Sequence, residues 1–213
     1  MKKIILLGAS LFFLKYQLFS QKTLSEGTIS YTTYIKNADK GNAVTDSATT
    51  TIYIKGGLSR VDLVNALGNE TTIHNAKDGS SVILKQYSGQ KLMITLTKDN
   101  WDDKFKKFTG VTFKTTAETK KINGYTCKQA TAQLENGTSI TVYYTTDITV
   151  FDKEYEPLFK NIPGLPVQYE FQKGKMTFLY TLSSIDFSPV ATAKFDIPKS
   201  GYRVMTYDES QQK

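Results

Sequence analysis

Two residues that each occur once, His74 and Cys127, open the question of chemistry. A thiol beside an imidazole is the pairing that makes cysteine a nucleophile with histidine as its base. These two stand fifty-three residues apart, on separate predicted strands, and nothing around either signals an activated thiol. Cys127, between Thr126 and Lys128, reads more simply as a small strand residue. Glycosidic chemistry needs two carboxylates at a set separation. Asp102 and Asp103 are adjacent on a predicted helix and point apart, while Glu154 and Glu156 sit in a charged loop. Zinc sites draw several His and Cys ligands, more than one of each can supply. A single cysteine also excludes an internal disulfide. No phosphate-cradling glycine run, Gly-x-Ser-x-Gly elbow or His-Glu-x-x-His stretch occurs. The expectation is a non-enzyme without metal or cofactor.

What remains is apolar surface. Leu92, Ile94 and Leu96 share one face of a predicted strand that runs straight into Trp101, Phe105 and Phe108. Those three fall at i, i+4 and i+7, one side of a short helix. Met176, Phe178 and Tyr180 form a comparable face in the last long strand, continued by Leu182. A curved sheet lined in this way and covered by an amphipathic helix either packs solid or encloses a hydrophobic ligand. These nine residues are the candidate ligand-binding set. Lys104, Lys106 and Lys107 stand where they could touch anionic headgroups, or simply form a solvated helix end.

The elements that must position them are mostly strands. From Gly27 onward the pattern has period two and is rich in Thr, Tyr, Ile and Val, as a half-buried pleated surface requires. Strands are expected at 49–54, 58–64, 70–76, 81–87 and 91–97, and again at 111–119, 125–134, 139–145, 166–172 and 176–185. Asp78-Gly79 and Asn136-Gly137 read as type I′ hairpin turns. Ser88-Gly89-Gln90, Lys173-Gly174-Lys175 and Asn123-Gly124 read as further tight turns. The sum is a mainly β fold, a curved antiparallel meander of about ten or eleven strands forming an unclosed half-barrel. One or two short helices cover it. Asp99-Asn100 can cap the first, with acids in its first turn, Lys106 and Lys107 in its last and Gly110 beyond. A helical turn within 152–161 is the second, and 191–198 is a packed tail.

Met1-Lys2-Lys3, an apolar run of about eleven residues from Ile4 to Leu14, and small Ser20 describe a secretory signal peptide. A membrane span needs roughly twenty apolar residues. Cleavage near Ser20 leaves residues 21–213 as a single domain in the periplasm or outside the cell. It also removes Lys2, Lys3 and Lys15 and no acid, lowering the net charge from +7 to +4. That mild charge, without basic runs interleaved with aromatics, argues against nucleic-acid binding.

The stretch Lys120-Lys121-Ile122-Asn123-Gly124-Tyr125-Thr126-Cys127-Lys128-Gln129-Ala130 resembles a K-x-I-x-G-Y-x-C-x-x-A signature. That signature is shared by secreted Bacteroidetes proteins of the GLPGLI family and a related domain of unknown function. Tyr53 to Arg60, Val142 to Thr145, Ile162 to Pro166 and Phe195 to Pro198 agree in order and spacing, over residues 27–200. Ile162 to Pro166 spells I-P-G-L-P, which favours the second group. The resemblance implies the architecture of the LolA/LolB lipoprotein carriers, an unclosed barrel with helices over its mouth and an apolar cavity. Two functions compete. One is a periplasmic carrier of a lipid or acyl chain in that cavity. The other is an interaction module with a filled core that docks on an outer-membrane protein. A hydrolase using His74 is a third, more distant option.

Overall fold

The computed structural model describes residues 21–41 and 43–212. The expected signal peptide lies outside the described residues. Alternation builds the first long strand, β2 (Glu26–Asn37), which follows the short β1 (Lys22–Leu24). Gly27, Ile29, Tyr31 and Thr33 are buried on one face, and their neighbours are partly exposed. A hairpin leads to β3 (Ala43–Lys55), and tight turns continue the meander through β4 (Leu58–Asn65), β5 (Gly68–Asn75), β6 (Ser81–Tyr87) and β7 (Gln90–Leu96). Helix α1 (Lys98–Phe105) and a 3₁₀ turn (Lys106–Phe108) then lead to β8 (Lys114–Ile122), β9 (Tyr125–Gln133) and β10 (Ser139–Thr145). The short β11 (Ile148–Val150) pairs in parallel with β1 in a sheet of its own. Next come β12 (Leu165–Lys173) and β13 (Met176–Asp186), which pairs with β2 and so joins both meanders into one sheet. The chain closes with β14 (Arg203–Thr206) and α2 (Tyr207–Gln211).

The large sheet has twelve strands in the order β14-β7-β6-β5-β4-β3-β2-β13-β12-β10-β9-β8. Its edges, β14 and β8, do not pair, so the barrel stays open, as expected of a half-barrel. The strand count is higher than expected, and one pair is parallel: β14 runs alongside β7. The cause is the tail, which crosses the outer face of the sheet before turning back. Val190 and Phe195 pack on Ile73, with Tyr53 and Leu58 beside them. Tyr202 then covers Val82, Leu84 and Met93. Polar anchors hold the crossing: the Glu26 carboxylate accepts from the Val190 N–H at 2.8 Å, and the Arg60 guanidinium donates to the Lys194 carbonyl at 2.9 Å. The crossing hides apolar outer surface and covers an edge that would invite another chain.

Local chemistry differs from expectation at three joints. The left-handed pair of a type I′ turn occurs at Ser88-Gly89 and Asn123-Gly124. Asp78 and Asn136 keep negative φ, because each is held by its own side chain. The Asp78 carboxylate accepts from the Ser80 N–H, and the Asn136 side-chain oxygen accepts from the Thr138 N–H. The cap of α1 is Thr97 rather than Asp99. Thr97 Oγ1 accepts from the Asn100 N–H at 3.2 Å, and Asn100 Oδ1 accepts from the Thr97 N–H at 3.2 Å, a reciprocal box that satisfies both ends. The expected second helical turn is the 3₁₀ turn Pro157–Phe159, which buries Leu158 and Phe159.

Candidate functional site

Residues paired across neighbouring strands share a face, so the register states which side chains look into the half-barrel. One inward row runs Ile94, Ile83, Thr72, Val61, Ile52 and Ile29 through β7 to β2. Another runs Thr33, Tyr180, Tyr169 and Val142 through β2, β13, β12 and β10. The concave side thus has two halves, and the chain fills them differently.

The half over β5, β6 and β7 is solid. Helix α1 delivers Trp101 onto His74, ring to ring at 4.1 Å and 13°. Ile83, Ile94 and Leu96 close around Trp101, with Phe105, Met205 and Tyr207 packed outside them. His74 is buried and shares a hydrogen bond of 2.8 Å between Nδ1 and the Ser81 hydroxyl. Burial holds its pKa below the ordinary histidine value. Cys127 is fully buried in the main core, and burial pushes its thiol up to about 11. A nucleophilic thiolate needs the opposite shift, and the imidazole hydrogen bond goes to Ser81, so His74 and Cys127 do not form a dyad. Asp102 pairs with Lys98, and Glu154 with Lys160. Among the described residues no three His, Cys, Asp or Glu side chains gather as a metal site.

The other half packs the main core, with Ile29, Ile52 and Val142 in it, and leaves a hollow beside it. A cavity of about 520 Å³ lies between β3, β4 and β5 on one wall and β10, β12 and β13 on the other. Val61, Leu63, Ile140 and Leu158 supply aliphatic lining, and Phe108 reaches it from the 3₁₀ turn that follows α1. The opposite wall is aromatic: Tyr169 stacks on Tyr180 at 4.5 Å, and Phe171 stacks on Phe178 at 5.0 Å. Phe159 meets Tyr169 edge-on at 4.6 Å and braces the wall. Rings that stack along the wall do not reach across the space. The tips of the β9–β10 and β12–β13 hairpins, with Asn136, Thr138 and Gly174, form one end. Glu156 enters from the segment that follows β11. Burial raises its carboxyl to about 7, and among the described residues no cation lowers it.

Of the nine residues singled out in the sequence, Phe108 and Tyr180 line this cavity. Phe178 stands beside it, stacked on the lining residue Phe171. Ile94, Leu96, Trp101 and Phe105 belong to the solid half. Trp101, Phe105 and Phe108 also border a separate hollow of about 540 Å³ with Pro157 and Asn161. Leu92 is half-buried between Lys85 and Arg203 in the register, and Met176 opens β13 opposite Asn37. Tyr169 and Phe171 were not singled out, and Glu156 was weighed only as one of two acids in a charged loop. Tyr169 and Phe171 alternate in a strand no differently from core residues, and a lone acid in a charged loop carries no periodic signal.

No family model matches the chain, and no curated protein matches it. Solved structures to which it is similar include PNGF-II, at 15% identity and TM-score 0.48, covering 86% of this chain and 32% of that one. Another is the MucA/MucB complex of Pseudomonas aeruginosa, at 10% identity and TM-score 0.43, covering 82% and 56%. A third is the Mycobacterium tuberculosis lipoprotein LppX, at 13% identity and TM-score 0.34, covering 78% and 89%. The chain spans about a third of the length of the first and somewhat over half of the second. Likeness this distant transfers no activity.

Proposed function

We propose that this chain is an exported, non-enzymatic binding protein that holds a lipid acyl chain or another apolar ligand in the hollow half of its half-barrel. The observation that carries this reading is the cavity of about 520 Å³, whose lining joins aliphatic and aromatic side chains with Thr, Asn and Gln residues, Lys107 and two acids. Small-ligand sites run to about 300–1,000 Å³ with mostly apolar linings and few polar groups. The driving force is removal of methylenes from water, at about 0.8 kcal/mol each. Affinity for saturated alcohols should therefore rise about fourfold per methylene until the space is full. Native mass spectrometry of protein purified without detergent should show a bound mass that is lost on denaturation. Val61→Trp, which fills the cavity from β4, should abolish alcohol uptake while leaving the fold intact. The reading fails if wild-type protein takes up no alcohol of any length, or if the tryptophan variant binds as well as wild type.

A second reading, docking on an outer-membrane protein, is favoured by exposed apolar side chains near the hairpin tips. Leu67 is 74% exposed, and Val44, Val64 and Tyr34 are also exposed. Under that reading Leu67→Asp weakens capture of the partner and leaves alcohol uptake unchanged.

A further inference from the structure

Resting on the cavity reading above, we infer that the site selects apolar ligands bearing a basic amine or quaternary ammonium, with the Glu156 carboxylate as counter-ion beside the Tyr169, Tyr180 and Phe171 rings. Glu156 lines the cavity from the segment after β11. Its backbone N–H is used, donating to the Lys153 carbonyl at 3.1 Å. Its carboxyl makes no hydrogen bond or ion pair within the described residues, although a carboxylate offers about four acceptor positions. Glu156 is half-buried; a carboxylate facing an apolar lining without a partner is still poorly solvated, and a plain core would place an apolar side chain there.

The charged and titratable groups around it leave that vacancy to a ligand. On its own segment, Lys153 donates to the Ile162 carbonyl, Glu154 pairs with Lys160, and Asp152 accepts from the Glu154 N–H. Tyr155 is held protonated by burial. From β2, the Tyr31 hydroxyl donates to the Pro166 carbonyl at 2.7 Å. From β12 and β13, burial keeps Tyr169 and Tyr180 protonated. From β5, Glu70 is paired with Lys85 at 3.2 Å. Lys107, on the 3₁₀ turn, borders the same cavity but is exposed, and Lys104 lies on α1 near Glu70. Among the described residues no cation pairs with Glu156.

Ligand classes differ in what they gain there. A fatty carboxylate meets a like charge and enters only with a shared proton. An alcohol gains one hydrogen bond. An ammonium gains the Coulomb attraction of a poorly solvated site and the electron-rich faces of the rings, the combination that recognises such cations elsewhere.

The test compares dodecylamine, dodecyltrimethylammonium, dodecanol and dodecanoate by titration calorimetry on the purified protein at pH 8. The amine and the quaternary ammonium should each bind at least about tenfold tighter than the alcohol, with dodecanoate weakest. The preference should fade as the pH falls to 5, where the carboxyl is protonated, while dodecanol binding stays constant. Glu156→Gln keeps the shape and removes the charge. It should bring the amine to within about threefold of the alcohol. Equal binding of amine and alcohol by wild type overturns the inference and leaves the cavity reading standing. So does tightest binding of dodecanoate, or a preference that survives in Glu156→Gln. Absence of dodecanol binding removes the cavity reading, and the inference goes with it. The wild-type comparison and its pH dependence need no variant to fold.

Discussion

The two halves of the concave face use the same kinds of residue and reach opposite ends. Over β5–β7 a helix crosses at close range and drives an indole onto an imidazole, so the helix packs directly on the sheet. Across β12 and β13 the large side chains are rings that stack along their own sheet, and the cavity remains in front of them. Aromatic content therefore does not distinguish a core from a pocket. What distinguishes them is whether a second element comes near enough to interdigitate.

The strongest way to break this comparison is to remove the plug of the solid half. Trp101→Ala should cost about 3–5 kcal/mol, because neighbours on three strands cannot collapse into the space. Urea unfolding checks this, and a loss under about 1 kcal/mol would mean the solid half is loosely packed.

The next effect belongs to the hollow half and has a sign set by pH. Burial raises the Glu156 carboxyl from 4.5 to about 7. The associated stability is fully present below pH 4.5 and is lost as the pH rises through about 7. Glu156→Gln should thus stabilise the protein by up to about 3 kcal/mol at pH 8 and by almost nothing at pH 4. Melting curves of both forms at the two pH values decide it; a variant less stable at pH 8 would show that the carboxylate has a protein partner.

The solid half responds to pH in the opposite direction. His74 is held below its ordinary value of 6.5 by burial, so its contribution is present above pH 6.5 and is lost on acidification. Replacing it by phenylalanine should flatten the decline in melting temperature between pH 6.5 and 5, and an unchanged slope would place the acid sensitivity elsewhere. The smallest effect is expected at the cavity wall. Tyr180→Leu removes a ring with open space before it and should cost about 1 kcal/mol or less, again by urea unfolding. A loss as large as that of Trp101→Ala would show that the wall is core after all.

Several of these features were legible in the chain. The spacing of Trp101, Phe105 and Phe108 marks α1 and its buried side, and the alternation through Leu92, Ile94 and Leu96 marks the strand that precedes it. The half-barrel follows from many short strands with tight turns. Other features were not legible. Phe108 shares a helical stripe with Trp101, yet one lines the cavity and the other seals the opposite half. Glu156 is separated by one residue from Glu154, which forms an ordinary surface ion pair with Lys160. The parallel return of β14 depends on where the tail crosses the sheet, and four residues carry no mark of their partner.

Sequence alone determined most of the long strands, the positions of the tight turns and the amphipathic helix of this protein, because each arises from a residue and neighbours a few positions away. Tertiary structure decided which concave half keeps a cavity, where a lone carboxyl faces it and how the outer face is covered. Those outcomes depend on the curvature of twelve strands and on segments that cross them, distances that local periodicity does not encode.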